Sequence, residues 1–369
     1  MKAALQRLAL GAYVPARTAR WPEASRLFVI GDGVGWSIDD DRDRLSATAQ
    51  RLGYEVGPSP WARFAQRQAV FHHDHFGALQ PRWVDSSHAL GLSYFHGRPG
   101  TPGYPEFDRA YEALKRHAKR IDRVQVTHAE MHELALDAGI DPAKVHRIPI
   151  GVDLENFPLV DEDRRTRARE EFGIPKSAFV VGSFVKDGVG LGEGTEPKLV
   201  KGPDTLVATL VRLRDAIPEL FVLVTGPARG YVRRELESRG IPYRHVLLGS
   251  RSDLGRGYHA LDVTLVASRQ EGGPKSVLES LAAGVPLVTT RVGQAPELLS
   301  EGENGLLADI DDVDALVAAV SRIHADSTLA GRLRTAGRLT AEANAEERLD
   351  GRWAALLDGF VRKGPPSVD

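Results

Sequence analysis

Short apolar runs alternate with amphipathic stretches along almost the whole chain, and this alternation restricts the possible folds more than any other feature. The runs begin at Arg26, Gln68, Leu90, Arg123, Lys144, Phe179, Leu220, Arg244, Asp262 and Val285. They contain consecutive Val, Leu and Ile residues, a pattern typical of strands that are buried on both faces in parallel sheets covered by helices. Because the pattern occurs in both halves of the chain, we predict two doubly wound α/β domains.

The segment between Gly151 and Ala178 separates the two halves. It carries two prolines, a dense run of charged residues and no apolar run. A chain of 369 residues also exceeds what one hydrophobic core usually serves. We therefore predict a first domain over residues 1–165, a second over residues 166–345 and a final helix over residues 346–369, with the charge run on the solvent-facing side of a helix.

The charge balance and the cysteine count narrow the function classes. Lysine and arginine number 48 against 50 aspartate and glutamate residues, which gives neither a basic nucleic-acid-binding surface nor an acidic tail. The absence of cysteine excludes disulfides and thiolate metal sites. No apolar run reaches the ~18 residues that span a bilayer, and Gln6 and Arg7 interrupt the first apolar stretch, unlike a signal peptide. We expect a cytoplasmic protein, with peripheral membrane contact left open.

The segment from Ser268 to Thr290 holds the strongest candidate site. An apolar strand ends at Ser268, Gly272 and Gly273 form a turn, and Pro274 suits the first position of a helix. The first backbone N–H groups of that helix, including those of Lys275 and Ser276, would lie at the positive end of its dipole. Since ligands bind at the carboxyl ends of parallel strands in such sheets, this turn is a candidate diphosphate site.

Two glutamates flank this turn. Glu271 precedes it and Glu279 lies within the helix, with seven residues between them. Carboxylates accept hydrogen bonds from hydroxyl groups, and a nucleotide sugar has hydroxyls on both sides of its diphosphate. Either glutamate alone is as easily explained as a surface acid, but the pair around a glycine turn favours a nucleotide-sugar site.

This segment resembles family 4 of the retaining GT-B glycosyltransferases. The stretch EGGPKSVLE is similar to the family's E-x7-E motif, and LAAGVPLVTT, GENGLLADI and IPIGVDLENF resemble further family segments, with Ile150 where Asn is common. The resemblance implies two Rossmann-like domains facing a central cleft. It also implies an N-terminal acceptor domain, a C-terminal donor domain and a last helix that crosses back to the N-terminal domain.

The resemblance also assigns roles to individual residues. Glu271 would contact the donor sugar and Glu279 the ribose, while Lys201 and Lys186 would bind the diphosphate. His96, after an N-terminal strand, would lie near the sugar. The family usually has Arg at the position of Lys186 and a shorter loop, so Lys198 is a competitor within the glycine-rich stretch, which we expect to close over bound donor and to order only then. The remaining donor-binding candidates are Gly272, Gly273, Pro274, Lys275, Ser276 and Arg251.

The function implied is transfer of a sugar, with retention, from a nucleoside diphosphate sugar to a hydroxyl of a glycan, lipid or small molecule. UDP is slightly favoured over GDP, and neither a cofactor nor a metal is required, because the nucleotide sugar is a substrate. A nucleotide-sugar epimerase or hydrolase of the same fold remains an alternative. A non-catalytic nucleotide-sugar-binding subunit is a second one.

Three other motifs have competing interpretations. Asp39–Asp41 contains a D-x-D, the metal motif of other transferases, but it precedes an amphipathic stretch and is typical of a helix N-cap. His72, His73 and His75 could suggest a metal, yet neighbouring residues of a strand point to opposite faces. Gly33 and Gly35 lie in GDGVG, which lacks the spacing of a dinucleotide fingerprint and suits a loop on the acceptor side of the cleft.

Overall fold

The predicted apolar runs form strands in a computed structural model of the chain, which describes residues 24–35 and 37–363. The first apolar stretch, which Gln6 and Arg7 interrupt, lies outside the described residues. Contacts divide the described chain into two units. Unit 1 comprises the described residues up to Pro149 and those from Leu349 onward, and unit 2 is Ile150–Arg348.

The sheet of unit 1 is parallel throughout, with the strand order β2-β1-β3-β4-β5-β6. Its strands are β1 (Leu27–Ile30), β2 (Val56–Gly57), β3 (Ala69–His72), β4 (Ala89–Ser93), β5 (Arg123–Val126) and β6 (Val145–Arg147). Neighbouring residues of a strand point to opposite faces. Phe28 packs with Val70 on one face, whereas Leu27 and Val29 pack with Phe71 on the other. Both faces are therefore covered, as the continuous apolar runs predict.

The sheet of unit 2 repeats this arrangement with the order β12-β11-β10-β7-β8-β9, again all parallel. Its strands are β7 (Phe179–Ser183), β8 (Leu220–Thr225), β9 (Tyr243–Val246), β10 (Val263–Val266), β11 (Leu287–Thr290) and β12 (Leu306–Ala308). Val181 packs with Val222 in one core, and its neighbour Val180 packs with Leu223 in the other. The prediction of two doubly wound α/β domains is confirmed. The two residues of β2 are too few to give a recognisable apolar run.

Helices cover both sheets. Those of unit 1 before residue 150 are α1 (Ser37–Arg51), α2 (His75–Ala78), α3 (Pro81–Val84), α4 (Pro105–His117) and α5 (Ala129–Asp137), with 3-10 helices at Ser59–Phe64, Ala118–Arg120 and Pro142–Lys144. Those of unit 2 are α6 (Glu162–Glu171), α7 (Pro203–Ala216), α8 (Gly230–Ser238), α9 (Arg251–His259), α10 (Lys275–Ala283), α11 (Ala295–Leu298), α12 (Val313–Ala325) and α13 (Ser327–Ala343), with a 3-10 helix at Leu199–Lys201. None of the described helices is long and apolar enough to cross a membrane.

Unit 2 begins at Ile150, before the boundary expected after residue 165. The backbone N–H of Val152 donates to the carbonyl of Asn344 at 3.1 Å, and Phe157 is buried in a core of unit 2. These long-range contacts bring residues 150–165 into the second unit, and the local charge pattern carries no sign of them.

The described residues from Leu349 onward belong to unit 1. A 3-10 helix, Glu346–Leu349, leads into α14 (Asp350–Leu357), and Leu356 and Phe360 pack in the core that contains Leu27. The helix ends at Leu357, whereas the sequence suggested a longer one. Gly359 has a φ of 67°, a left-handed conformation that stops the helix.

The charge run on α6 is only partly solvent-facing, contrary to expectation. Arg169 is buried, and its guanidinium donates to Oδ2 of Asp262 at 2.7 Å. Arg165 pairs with the other oxygen of the same carboxylate. Asp262 also accepts from the backbone N–H of Val180 at 2.7 Å, so α6 is joined to the sheet through charged side chains.

Candidate active site

The glycine turn lies after β10, where the sequence places it. Helix α10 begins at Lys275, and Pro274 is its N-cap with φ −62° and ψ 113°. Pro274 therefore lies one position before the expected first helical residue. At the other end, Gly284 adopts a left-handed φ of 71° and terminates the helix. The carboxyl end of β10 thus leads directly to the N-terminus of a buried helix.

Close packing explains the glycine at position 273. A Cβ atom there would lie 2.9 Å from the side chain of Gln294 and 3.0 Å from Ile150. Gln294 accepts from the backbone N–H of Ile150 at 2.9 Å and donates to its carbonyl at 3.1 Å. These two hydrogen bonds use only the backbone of residue 150, so they form with Ile there as they would with the common Asn.

The first turn of α10 contains a buried hydroxyl. Ser276 is 4% exposed, and its Oγ has no hydrogen-bond partner among the described residues. Buried polar atoms are almost always hydrogen-bonded, and the N-terminus of a helix favours anions. The arrangement suits a ligand oxygen at the start of α10.

Glu271 is held between a lysine and a serine. Its Oε2 accepts from Nζ of Lys201 at 2.5 Å and its Oε1 from Oγ of Ser268 at 2.9 Å, and the residue is 8% exposed. Lys201 is placed by Gly202, whose φ is 60° and where a Cβ atom would lie 1.9 Å from the carbonyl oxygen of Ala267. The structure thus brings two predicted site residues together at the end of β10.

Arg269 joins the segments on either side of this pair, a role that the sequence did not suggest. Its guanidinium donates to both carboxylate oxygens of Asp204 at 2.7 Å and to Asp311 at 2.9 Å. The hydrogen bonds to Asp204 are the main reason that the pKa of Arg269 is raised. The backbone N–H groups of Arg269 and Gln270 also donate to the carbonyl of Val200, which fixes the position of Lys201.

Glu279 is buried rather than solvent-facing. It is 4% exposed, and its carboxylate accepts from Arg251 at 3.0 Å and from the hydroxyl of Tyr258 at 2.9 Å. Burial, reinforced by the charge of Glu279, raises the pKa of Tyr258, so its hydroxyl remains a donor. Arg251 also lies 5.4 Å from the ring centroid of Phe157. The structure therefore groups two donor-binding candidates, Arg251 and Glu279, and adds Tyr258.

The glycine-rich segment after β7 forms a hairpin-like loop that starts with Lys186. The backbone N–H of Val189 donates to the carbonyl of Glu196 at 2.9 Å, and the backbone N–H of Lys198 donates to the carbonyl of Asp187 at 2.8 Å. These bonds connect the two arms of the loop. Its closure over bound donor stays a prediction. Lys186 opens the loop and Lys198 closes it, and Lys201 pairs with Glu271.

A buried ion pair fixes this loop. Nε of Arg229 lies 2.9 Å from Oδ1 of Asp187, and the two side chains are 0% and 2% exposed. Arg229 also donates to the carbonyls of Ser183 and Thr225 at 2.7 Å and 3.0 Å, which joins the ends of β7 and β8. Burial raises the pKa of Asp187 while Arg229 opposes the shift. This pair could not be predicted from the sequence, because Asp187 and Arg229 are far apart along the chain.

His96 belongs to unit 1, whereas the glutamates and lysines described above belong to unit 2. Strand β4 ends at Ser93, so His96 lies in the following loop rather than on the strand. It is half-buried, with its ring centroid 5.7 Å from that of His75 and 6.0 Å from that of Phe107. Its role near a sugar remains a prediction.

Asp39 organises the predicted acceptor-side loop. Its carboxylate accepts from the N–H groups of Gly33 and Gly35 at 3.2 Å and 2.6 Å, and Arg42 donates to it at 2.9 Å. Both glycines have a left-handed φ, 75° and 80°. Helix α1 begins at Ser37, so Asp39 lies within its first turn and holds the preceding loop.

The three histidines around β3 have separate surroundings. His72 packs against Trp83, Nδ1 of His73 lies 3.1 Å from Oγ of Ser93, and His75 packs against Tyr94. Burial lowers the pKa of His72 and of His75 to about 3. Within residues 24–35 and 37–363, no three His, Asp or Glu side chains form a group that could hold a metal ion.

Comparison with known proteins identifies related sequences. Residues 197–340 match the family described as glycosyl transferases group 1. The GDP-mannose-dependent alpha-(1-6)-phosphatidylinositol monomannoside mannosyltransferase of Mycolicibacterium smegmatis is 31% identical, over 88% of this chain and 88% of that protein. The D-inositol 3-phosphate glycosyltransferase of Xylanimonas cellulosilytica is 32% identical, over 65% of this chain but only 56% of that protein.

Solved structures share the fold at low sequence identity. The crystal structure of Anabaena HepE in complex with UDP and glucose has a TM-score of 0.73 at 16% identity, with 91% of this chain and all of that chain covered (100%). Sucrose-phosphate synthase from Thermosynechococcus elongatus has a TM-score of 0.69 at 18% identity, with 91% and 98% covered. These similarities establish the GT-B fold.

Proposed function

Because this chain belongs to the group 1 family of glycosyl transferases, we propose that it moves a sugar from a nucleoside diphosphate sugar to an acceptor hydroxyl with retention of configuration. The bond between C1 of the sugar and the diphosphate oxygen breaks, and its electron pair stays with that oxygen. The acceptor oxygen bonds to C1 from the same face. Its proton passes to the leaving phosphate, so no protein nucleophile is needed.

The observation that carries the proposal is the ion pair between Lys201 and Glu271 beside the N-terminus of α10. A leaving diphosphate gains negative charge, which fixed cations and helix N–H groups stabilise without reorganisation. Lys201 and the start of α10 supply such groups, and the unpaired Oγ of Ser276 adds a donor. Glu271 retains acceptor capacity for sugar hydroxyls, since a carboxylate has about four lone-pair sites.

Glu279 is suited to the ribose. Arg251 and Tyr258 fix the orientation of its carboxylate, which can still accept from a further hydroxyl. Fixed acceptors of this kind bind a ligand with little loss of side-chain freedom. Nucleotide binding thus depends on Glu279, and cleavage of the sugar–phosphate bond on Lys201 and Glu271.

GDP-mannose is the donor that we propose to test first. The mycobacterial relative, which aligns over 88% of both chains, is GDP-mannose-dependent by name. That relationship carries more weight than the slight preference for UDP drawn from the sequence. Metal independence is part of the same proposal, because Lys201 and the α10 N-terminus provide positive charge for the diphosphate.

The test is to incubate the protein with GDP-mannose, GDP-glucose, UDP-glucose or UDP-N-acetylglucosamine, with and without a panel of hydroxyl acceptors. Mass spectrometry detects products and NMR assigns the anomeric configuration. Transfer with retention in EDTA supports the proposal. An absolute requirement for manganese, or inversion, contradicts it. Free sugar or an epimer in all reactions favours the hydrolase or epimerase, and donor binding without turnover favours a non-catalytic subunit.

A further inference from the structure

The side chain of Arg269 contacts the chain on both sides of Lys201. One N–H of its guanidinium donates to the carbonyl of Leu199 at 2.7 Å, and two more donate to the carboxylate oxygens of Asp204, both at 2.7 Å. Leu199 and Lys201 are the two ends of one 3-10 helix, and Asp204 lies in the first turn of α7. Since Glu271 follows Arg269 by two positions, this side chain joins the segment of the lysine to the segment of the glutamate.

The remaining N–H groups of Arg269 are engaged as well. They donate to Oγ1 of Thr205 at 3.0 Å and to Oδ2 of Asp311 at 2.9 Å. A guanidinium has five N–H donors, and each of them has an acceptor in this network, so none is left for a diphosphate. The carboxylates of Asp204 and Asp311 also balance its charge. Arg269 therefore acts through the residues that it holds rather than by contact with the donor.

Asp311 adopts a strained backbone conformation at this contact. Its φ is 64°, in the left-handed region that residues other than glycine seldom occupy. Its carboxylate accepts from Arg269 at 2.9 Å and from the hydroxyl of Thr205 at 2.6 Å. A strained residue persists only where its surroundings hold it, and such residues cluster at functional sites. The strain at Asp311 indicates a network that is maintained for the positions of its members.

This network is too exposed to contribute much to folding. The side chains of Arg269, Asp204 and Asp311 are 25%, 42% and 50% exposed, and ion pairs in contact with solvent stabilise a protein only weakly. Position has a larger effect, because a displacement of about 1 Å near a reacting centre can cost about a hundredfold in rate. Removal of Arg269 should therefore change the rate of the reaction far more than the stability of unit 2.

We propose that Arg269 is a positioning residue for the sugar transfer, holding Lys201 where its ammonium contacts Glu271 and meets the leaving diphosphate. This assignment rests on the proposed function, because only a reaction at Lys201 gives the position of that lysine a consequence in rate. The contacts on both sides of the lysine limit its movement. The hydrogen bonds to Asp311 and Thr205 in turn fix the orientation of the guanidinium.

Steady-state kinetics with one donor provide the first measurement. Arg269→Gln should lower kcat by about tenfold to a hundredfold, the scale of a misplaced group, with little change in the donor KM. Arg269→Lys should be as slow, because an ammonium keeps the charge but lacks the planar fork. The matched control is Arg212→Gln, which removes an exposed ion pair with Asp314 between α7 and α12 and should leave kcat within about twofold.

A double variant shows whether Arg269 acts through Lys201. If it does, Lys201→Ala/Arg269→Gln should be at most about twofold slower than Lys201→Ala, because the second change removes the support of a group that is already absent. Independent effects on kcat would multiply instead, and that result would contradict a positioning role.

Chemical labelling follows the position of Lys201 without any turnover. The full chain is treated with a small amount of acetic anhydride, and mass spectrometry gives the rate of acetylation at each lysine. In the wild type the ammonium of Lys201 is paired with Glu271 and is 22% exposed. Its release in Arg269→Gln should raise the rate at least about threefold relative to that of Lys176, an exposed lysine of unit 2.

Wild-type kcat in Arg269→Gln or Arg269→Lys, or an unchanged rate of acetylation at Lys201, overturns the proposal. If urea unfolding shows that Arg269→Gln does not fold, Asp311→Gly replaces it, because glycine adopts the left-handed conformation without strain and only the carboxylate is lost. This variant should lower kcat by about threefold or more, and wild-type kcat there has the same meaning. Failure of the proposed function is a separate result: the wild type would then turn over no nucleotide sugar, while acetylation of Lys201 still depended on Arg269.

Discussion

The ammonium group of Lys201 lies 2.5 Å from Oε2 of Glu271, although 70 positions separate them along the chain. Both side chains are mostly buried, at 22% and 9% exposure. The pair lies at the end of β10, directly before the N-terminus of α10. From this geometry we expect substitutions of the lysine and of the glutamate to have different effects on catalysis and on nucleotide binding.

Lys201→Ala should lower kcat by about a hundredfold or more, the scale for one preorganised electrostatic contact. The reason is that the lysine would stabilise charge that grows as the sugar–phosphate bond breaks. Steady-state kinetics with one donor measure the effect. Lys198→Ala is the matched control, and a large loss there with little change at Lys201 would show that the wrong lysine had been assigned to the diphosphate.

Glu271→Gln should reduce turnover and sugar discrimination while affinity for the nucleoside diphosphate changes little. The carboxylate would contact the sugar, which is absent from the free diphosphate. Calorimetry with the diphosphate and kinetics with two different sugars separate these effects. Loss of diphosphate binding with unaltered turnover of bound donor would reverse the roles given to Glu271 and Glu279.

Glu279→Gln should weaken binding of the nucleoside diphosphate by about 1.5–3 kcal/mol, the contribution of a charged hydrogen bond. The ribose is present in donor and product alike, so KM for the donor rises more than kcat falls. Glu303→Gln, an exposed acid of unit 2, is the control. Unchanged affinity by calorimetry would exclude Glu279 from the nucleotide site.

Arg229→Met should destabilise unit 2 by about 3–5 kcal/mol, because it leaves the carboxylate of Asp187 buried without its partner. Since Lys186 directly precedes Asp187, KM for the donor should also rise. The double variant Asp187→Leu/Arg229→Met should recover much of the stability but not the KM. Urea unfolding and donor kinetics test both statements, with Arg234→Met as an exposed control on α8. If the two substitutions changed the free energy of unfolding additively, Asp187 and Arg229 would not be a coupled pair.

Unit 1 should lose stability as the pH falls from about 6.5 toward 3. Burial lowers the pKa of His72 and of His75 from 6.5 to about 3, so the unfolded chain binds their protons first. The stabilisation that the neutral rings provide is complete above pH 6.5 and is lost on acidification. At pH 5 the cost is about 2 kcal/mol for each histidine, from 1.36 kcal/mol per unit of pKa difference.

Thermal unfolding at pH 7 and pH 5 measures this loss. His75→Phe should reduce the difference between the two pH values, because phenylalanine takes up no proton. His132→Phe, which changes a less buried histidine of α5, should leave the difference as in the wild type. A pH dependence that His75→Phe does not alter would contradict the assignment.

The strands could be predicted because their signal is local. Each predicted apolar run contains a strand, and both sheets are parallel. Glu271, the glycine turn and Glu279 lie within one strand-turn-helix segment, so their order along the chain already places them together. Long-range pairs leave no such pattern, which is why Tyr258, Arg269 and the Asp187–Arg229 pair were not predicted.

The errors have the same origin. The charge run on α6 suggested a solvent-facing helix, but Asp262 recruits Arg165 and Arg169 from a distance in sequence. The glycine-rich loop likewise carried no sign of the buried pair of Asp187 and Arg229 that holds it. From the sequence alone a charged residue is expected on the surface, and only the structure shows whether a buried partner holds it.

The sequence by itself determined two doubly wound α/β domains and the pair of glutamates around a glycine turn, because apolar periodicity and turn chemistry are set by neighbours along the chain. The tertiary structure decided that Lys201 pairs with Glu271 and that Arg251 and Tyr258 orient Glu279. The physical reason is that burial depends on the whole fold. A carboxylate or guanidinium acquires its partner, and with it its chemistry, only where distant segments exclude water around it.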